Sequence, residues 1–263
     1  MSKPTLYLLD GMALVYRAYY ALMSTRLKTK SGFPTGAVFG FANTLLKLME
    51  QATPDYIAVA FDTKEKTFRH DSYPLYKAQR PPPPEDLIAQ LPKIFQLVDG
   101  YGIRRLMLPG YEADDIIGTL ARQHEMECEV FMVTPDKDFA QLVNESIKIL
   151  KPSKEDDKFD LFGREEVKVR YGVYPEHFVP MLTLMGDSSD NVPGAVGIGP
   201  KTAAILINEY ATIENLYAHL DALKPKTRDS LTTAREHLKL AEFLVTIKTD
   251  VPLDLDLETL RPA

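Results

Sequence analysis

Carboxylates dominate the chemistry open to this chain, and they fall where short apolar runs end. Leu9-Asp10-Gly11 closes a run over 5–9 and Phe61-Asp62 closes one over 56–61. Gly110-Tyr111-Glu112-Ala113-Asp114-Asp115 follows a run over 104–108, and Thr134-Pro135-Asp136-Lys137-Asp138 follows one over 130–133. A fifth group, Gly186-Asp187-Ser188-Ser189-Asp190-Asn191, lies further on. Two carboxylates about 4 Å apart repel by roughly 4 kcal/mol at an effective dielectric near ~20. A convergent set therefore needs cations or protons to neutralise it. Oxygen ligands without paired His or Cys suit Mg²⁺ or Mn²⁺ rather than zinc. The five histidines are scattered away from these groups and read as surface or core residues. An acid at a strand end or helix start also serves as a cap. That reading suits each acid singly and weakens for the whole set.

Two further segments carry chemistry. Residues 64–80 hold five Lys or Arg against two Asp or Glu, with Phe68, Tyr73 and Tyr76 among them. Interleaved rings and cations suit a single strand, whose bases stack while its phosphates meet charge. A solvated charged loop with aromatics in the core is the plain alternative. Pro81-Pro82-Pro83-Pro84 then stiffens the chain before Glu85-Asp86 opens a helix. The second segment is Val192-Pro193-Gly194-Ala195-Val196-Gly197-Ile198-Gly199-Pro200-Lys201-Thr202. It fails as a P-loop, because Pro200 separates Gly199 from Lys201 and a helix precedes it. It reads instead as a helix–hairpin–helix whose amides can hold a phosphate. A plain helix–helix turn is the alternative.

The elements that must position these groups follow from periodicity. The four apolar runs read as buried strands of a parallel sheet, alternating with helices over 38–50, 87–98 and 115–124. Acids at four strand ends would then meet at one sheet edge, where such sheets place their sites. Glu112 and Asp115 share a helix face, and Asp136 and Asp138 point the same way if extended. After about residue 174 the pattern is helical throughout, over 175–185, 201–210, 213–219 and 227–247. Hence residues 1–174 are expected to form an α/β domain. Residues 175–263 are expected to form a small helical domain, with 250–263 as a linker or tail.

Composition sets the outer bounds. The chain has 263 residues, 45% hydrophobic and 26% charged, as for a soluble globular protein. A single cysteine permits no internal disulfide and fits a reducing, cytoplasmic setting. Asp10 and Arg17 interrupt the first apolar stretch, so neither a signal peptide nor a membrane span is expected. The net charge of −6 speaks against nucleic acid until the nine acids above are set aside, which leaves +3.

With these residues in hand, the sequence resembles the 5′ nuclease domain of bacterial DNA polymerase I, in the superfamily of flap endonucleases and bacteriophage 5′ nucleases. The resemblance spans nearly the whole chain, in family order and spacing. It implies a PIN-like α/β core with a helical arch (about 64–95), then a helix–hairpin–helix domain. It implies a first metal group of Asp10, Asp62, Glu112, Asp114 and Asp115, and a second of Asp136, Asp138, Asp187 and Asp190. Lys77 and Arg80 would meet the scissile phosphate, with Tyr76 beside them. Gly194, Gly197, Gly199, Lys201 and Thr202 would grip duplex backbone, often with K⁺ on main-chain carbonyls; Arg17 and Arg69 are further DNA-contact expectations. The chemistry expected is phosphodiester hydrolysis near a 5′ end by two metal ions about 4 Å apart. The substrates would be a 5′ flap or a nicked or gapped duplex, RNA–DNA hybrid included. The chain would act as a monomer, with a polymerase domain in cis if it is part of a longer protein. A free-standing paralogue and a non-catalytic DNA-structure-binding module are the alternatives; the complete acid set argues against the second. A Mg²⁺ phosphotransferase would want Asp-x-Asp after the first strand, where Asp10 is followed by Gly11-Met12.

Overall fold

The computed structural model describes residues 3–153 and 158–262. Of the tail expected over 250–263, Ala263 lies outside the described residues. The chain runs β1 (Thr5–Asp10), α1 (Gly11–Leu22), α2 (Gly36–Ala52), β2 (Tyr56–Ala60), α3 (Phe68–Ser72), α4 (Glu85–Gly100), β3 (Arg104–Leu106), α5 (Ala113–His124) and β4 (Glu129–Val133). It continues through β5 (Ile147–Pro152), β6 (Phe159–Phe162), α6 (Arg164–Tyr171), α7 (Phe178–Met185), α8 (Pro200–Tyr210), α9 (Ile213–Ala218) and α10 (Pro225–Val245). The six strands lie in the order β3-β2-β1-β4-β5-β6, all parallel except the β5–β6 pair. The four expected strands are present. β5 and β6 are additions that the sequence reading lacked. β5 alternates apolar residues with Lys148 and Lys151, so its run is weaker than that of a strand buried on both faces.

Strand order explains where a site can form. The chain leaves β1 toward β2 and β3, then returns to lay β4 on the other side of β1. The carboxyl ends of β1 and β4 therefore flank the crevice where strand order reverses. Side chains of β1 alternate between two cores. Leu6 and Leu8 face one that contains α5; Tyr7 and Leu9 face the other, with α1, α2 and α4. The α5-side core continues without a break into Phe178, Leu182, Leu231 and Leu244, so the helical part rests on the sheet layer rather than beside it.

Two expectations change here. The segment between β2 and α4 is one five-residue helix, α3, followed by successive turns to Arg80 and the extended prolines. The stretch after α10 is not a free tail. Val251 and Leu260 are buried, a 3-10 turn spans Leu257–Leu260, and Tyr56 donates to Glu258 at 2.7 Å. Apolar Val251, Leu253, Leu255, Leu257 and Leu260 explain the docking; the intervening acids hid it.

Candidate metal centre

Asp10 ends β1 and caps α1. Its carboxylate accepts from the Ala13 amide at 3.0 Å and from the Thr134 hydroxyl at 2.9 Å. Gly11 lets α1 start against β2: a Cβ there would stand 2.4 Å from the Phe61 ring and 2.7 Å from the Ala60 carbonyl oxygen. Asp62 follows β2 and accepts from the Ala113 amide at 2.9 Å, which ties it to the start of α5. Thr134 also accepts from the Asp136 amide at 3.1 Å, and Asp136 accepts from the Asp138 amide at 2.9 Å. One buried hydroxyl thus joins the ends of β1 and β4. Asp187 and Asp190 arrive on a tight turn after α7, closed by an antiparallel bridge between Asp187 and Val192.

These pieces enclose one cleft of about 150 Å³, lined by eight of the nine predicted acids: Asp10, Asp62, Glu112, Asp114, Asp136, Asp138, Asp187 and Asp190. Burial, and then the neighbouring charges of Asp62 and Asp136, push the Asp10 carboxyl up to about 7. Burial, then Asp136, raises Asp138 to about 7 as well, against the opposing pull of Lys137. Asp114 is raised well above the usual carboxylate range by burial and by Asp10, Asp136 and Glu112. Asp62 opens onto cleft solvent while protein encloses its other sides, and that enclosure raises it too.

Cations from the chain temper this field. Lys77 pairs with Glu112 at 2.6 Å and approaches Asp190 at 3.8 Å. Burial works against its charge, but Glu112, Asp190 and Asp114 outweigh that and raise its pKa. Its backbone is left-handed (φ 55°), with the amide donating to the Asp190 carbonyl at 2.9 Å. Arg80 pairs with Asp190. Lys137 bridges Asp187 at 2.5 Å and Asp138 at 3.5 Å. No three acids, His or Cys among the described residues are gathered closely enough to chelate an ion as arranged. The donor set nonetheless fits divalent metals. It is all oxygen, its carboxyls are raised by burial first and by mutual charge second, and Asp138 Oδ1 is buried with no hydrogen-bond partner beyond its 3.5 Å ion pair with Lys137.

Family models describe the same chain in two parts. Residues 5–172 match the 5′-3′ exonuclease N-terminal resolvase-like domain, and 173–263 match the 5′-3′ exonuclease C-terminal SAM fold. The chain belongs to the 5′-3′ exonuclease family. It is 44% identical over 255 residues to a thermostable DNA polymerase I of Thermus thermophilus, and 45% identical over 260 residues to DNA polymerase I of Deinococcus radiodurans. Each match covers 97% of this chain but only 30% and 26% of those proteins. Among solved structures, the bacteriophage T5 5′-exonuclease with zinc bound aligns with TM-score 0.76 at 22% identity, covering 93% of this chain and 90% of that one. The catalytic core of Rad2 in complex with DNA substrate aligns with TM-score 0.58 at 16% identity, covering 98% and 81%. Both likenesses establish the shared fold.

Within this family member, four predicted site residues lie elsewhere or are otherwise engaged. Asp115 is 0% exposed and outside the cleft. Both its oxygens are taken by the Arg69 guanidinium at 2.8 Å, with the Glu112 and Lys248 amides adding two more bonds. As arranged, it serves as a capping and ion-pair residue. Arg69, its side chain 3% exposed, also donates to the Leu244 and Thr246 carbonyls, so it fastens the base of the arch segment to the end of α10. Tyr76 is buried, its hydroxyl donating to Glu112 at 3.1 Å and Asp190 at 3.3 Å, so its ring offers no open stacking face. Arg17 donates to the carbonyls of Pro152 and Ser153 and anchors the end of β5. Conversely, the sequence reading missed Lys137 and Thr134. Lys137 was visible as the cation between Asp136 and Asp138, but its partner Asp187 is distant in sequence.

The hairpin is set by close packing. A Cβ on Gly194 would lie 2.3 Å from the Met185 carbonyl carbon. His237 contacts the Gly194 carbonyl at 3.2 Å and Ser230 donates to that of Val196 at 2.6 Å, so α10 holds the hairpin from behind. Its tip faces outward. Val196 is 83% exposed, Gly197 and Gly199 have open space where a side chain would stand, and Lys201 is exposed on the first turn of α8, next to half-buried Thr202.

Proposed function

We propose that this chain is a structure-specific 5′ nuclease, cutting phosphodiesters near the 5′ ends of flapped, nicked or gapped DNA and of RNA primers, in cytoplasmic replication and repair. The observation that carries this reading is the eight-carboxylate cleft at the switch point of the sheet. Asp10, Asp62, Glu112 and Asp114 would hold one divalent ion, Mg²⁺ or Mn²⁺. Asp136, Asp138, Asp187 and Asp190 would hold a second. Bound there, such ions supply an activated water and stabilise the leaving oxygen. Lys77 and Arg80, now paired with Glu112 and Asp190, are placed to exchange those partners for the scissile phosphate and the charge that develops on it. The amides at the start of α8, with Lys201 and Thr202, take a duplex phosphate irrespective of sequence. A K⁺ ion on hairpin carbonyls belongs to the same reading. The T5 flap endonuclease captured with DNA and metal ions and the Rad2 complex with DNA substrate support it by likeness of fold. The polymerase relatives support a polymerase domain in cis, the nuclease chain itself acting as a monomer.

A labelled 5′-flap duplex tests the reading. Mg²⁺ is expected to give a short 5′ product and chelator to abolish it. Asp114→Asn or Asp62→Asn should lower the rate by roughly 10²–10³-fold, the scale for losing a transition-state electrostatic contact. Undiminished cleavage in both variants would overturn the ligand assignment. Absence of any cleavage with Mg²⁺ or Mn²⁺ would overturn the activity.

A further inference from the structure

A second cavity, of about 560 Å³, lies against the carboxylate cleft, between α3, the approach to α5 and the end of α10. Small-ligand sites span roughly 300–1,000 Å³. Its aromatic lining is Phe68, Tyr111 and Phe243. Each of these is the chain neighbour of a residue that lines the carboxylate cleft, namely Arg69, Glu112 and Leu244. The two cavities therefore share a wall, and the Arg69 guanidinium, 4.5 Å over the Phe68 ring, stands in it.

The rings do not satisfy one another face to face. Phe68 meets Tyr111 at 5.8 Å with planes tilted 52°, and Phe243 at 5.6 Å edge-on. Phe243 is 43% exposed although it is a large apolar side chain. Lys239 and Lys248 line the same cavity. Lys248 pairs with Asp250 at 2.7 Å, while Lys239 has no ion-pair partner among the described residues. Open ring surface beside a free cation is the arrangement that takes a base and its phosphate without regard to sequence.

We propose that this cavity binds one unpaired nucleotide of the 5′ single strand, its base on Phe243 and Tyr111 and its phosphate at Lys239. The proposal rests on the nuclease reading above and places the strand on the far side of the Arg69 wall from the metals. Glu242, also in the lining, limits the site to a single phosphate rather than a continuous anionic track.

The chain contains no tryptophan, so Phe243→Trp installs one fluorophore in the cavity. Titration with a short oligothymidylate in chelator, where no cutting occurs, is expected to quench it saturably, and Lys239→Ala in that background should weaken the binding about fivefold. Independently, Phe243→Ala should raise KM for a 5′-flap substrate about five- to tenfold, the scale of losing one base–aromatic stack. The same variant should keep its kcat, its melting temperature and its KM on a flapless recessed duplex. An unquenched tryptophan, or an equal KM rise on both substrates, overturns the proposal. If the unaltered protein cuts neither substrate, the nuclease reading falls instead, and the fluorescence titration still decides whether the cavity takes single strand.

Discussion

Asp114 and Asp115 are adjacent in the chain and differ in role, because a helix start sends consecutive side chains in different directions. Asp114 faces the cleft, accepts no hydrogen bond among the described residues, and is held well above the usual carboxylate range by burial and by Asp10, Asp136 and Glu112. Asp115 faces inward and completes a buried pair with Arg69. Replacing one partner of such a pair leaves a buried charge uncompensated, at about 3–5 kcal/mol. Asp115→Asn is therefore expected to lower the urea-unfolding free energy by about 3 kcal/mol. Asp114→Asn removes a repelling charge and should raise metal-free stability while slowing cleavage by roughly 10²–10³-fold. Denaturant midpoints of the two variants in chelator check the contrast. An unstable Asp114→Asn together with an unchanged Asp115→Asn would reverse the assignment.

At the level of elements, the hairpin and the C-terminal strap make separate claims. Lys201 sits at an exposed helix start, where the proposed contact would be to the DNA backbone alone. Lys201→Ala is expected to weaken duplex affinity for all sequences and to reduce the salt slope of log K by about 1. Binding isotherms at several salt concentrations measure this. The strap instead supports the fold, with Leu260 fully buried in the turn that packs on β2. Leu260→Ala should cost about 2–5 kcal/mol, as for other buried leucines, with no direct effect on DNA affinity. Calorimetry beside the binding measurement separates the two. The strap was hidden in the sequence because its leucines alternate with acids and no periodic element surrounds them. Strands β1, β2 and β4 were legible because they lie inside the sheet, are largely buried and read as continuous apolar runs.

For the whole molecule, the cleft makes stability depend on pH and metal together. Asp10 and Asp138 titrate near 7 when folded, against an ordinary value of 3.8. Between those limits the folded state binds more protons than the unfolded one, so metal-free stability falls as pH rises and levels off above about 7. The raised Asp62 and Asp114 act in the same direction. Lys77, raised above 10.5, contributes stability that persists throughout this window and is lost only in strong alkali. The melting temperature in chelator should therefore drop between pH 5 and pH 8, and Mg²⁺ should raise it more at pH 8. A metal-free melting temperature that climbs over this range would contradict the cleft electrostatics.

The sequence alone determined the acids at the strand ends, the glycine hairpin and the family. Those follow from residue type and short spacing. Tertiary structure decided which acids share the cleft and which serve the fold. Asp115 and Arg69 are 46 positions apart and find each other only because α3 packs over α5. Lys137 reaches Asp187 across 50 positions, and Tyr76 turns inward because its hydroxyl has two carboxylates to satisfy. Burial and long-range pairing are properties of the packed chain, and they separated eight cleft acids from nine that looked alike.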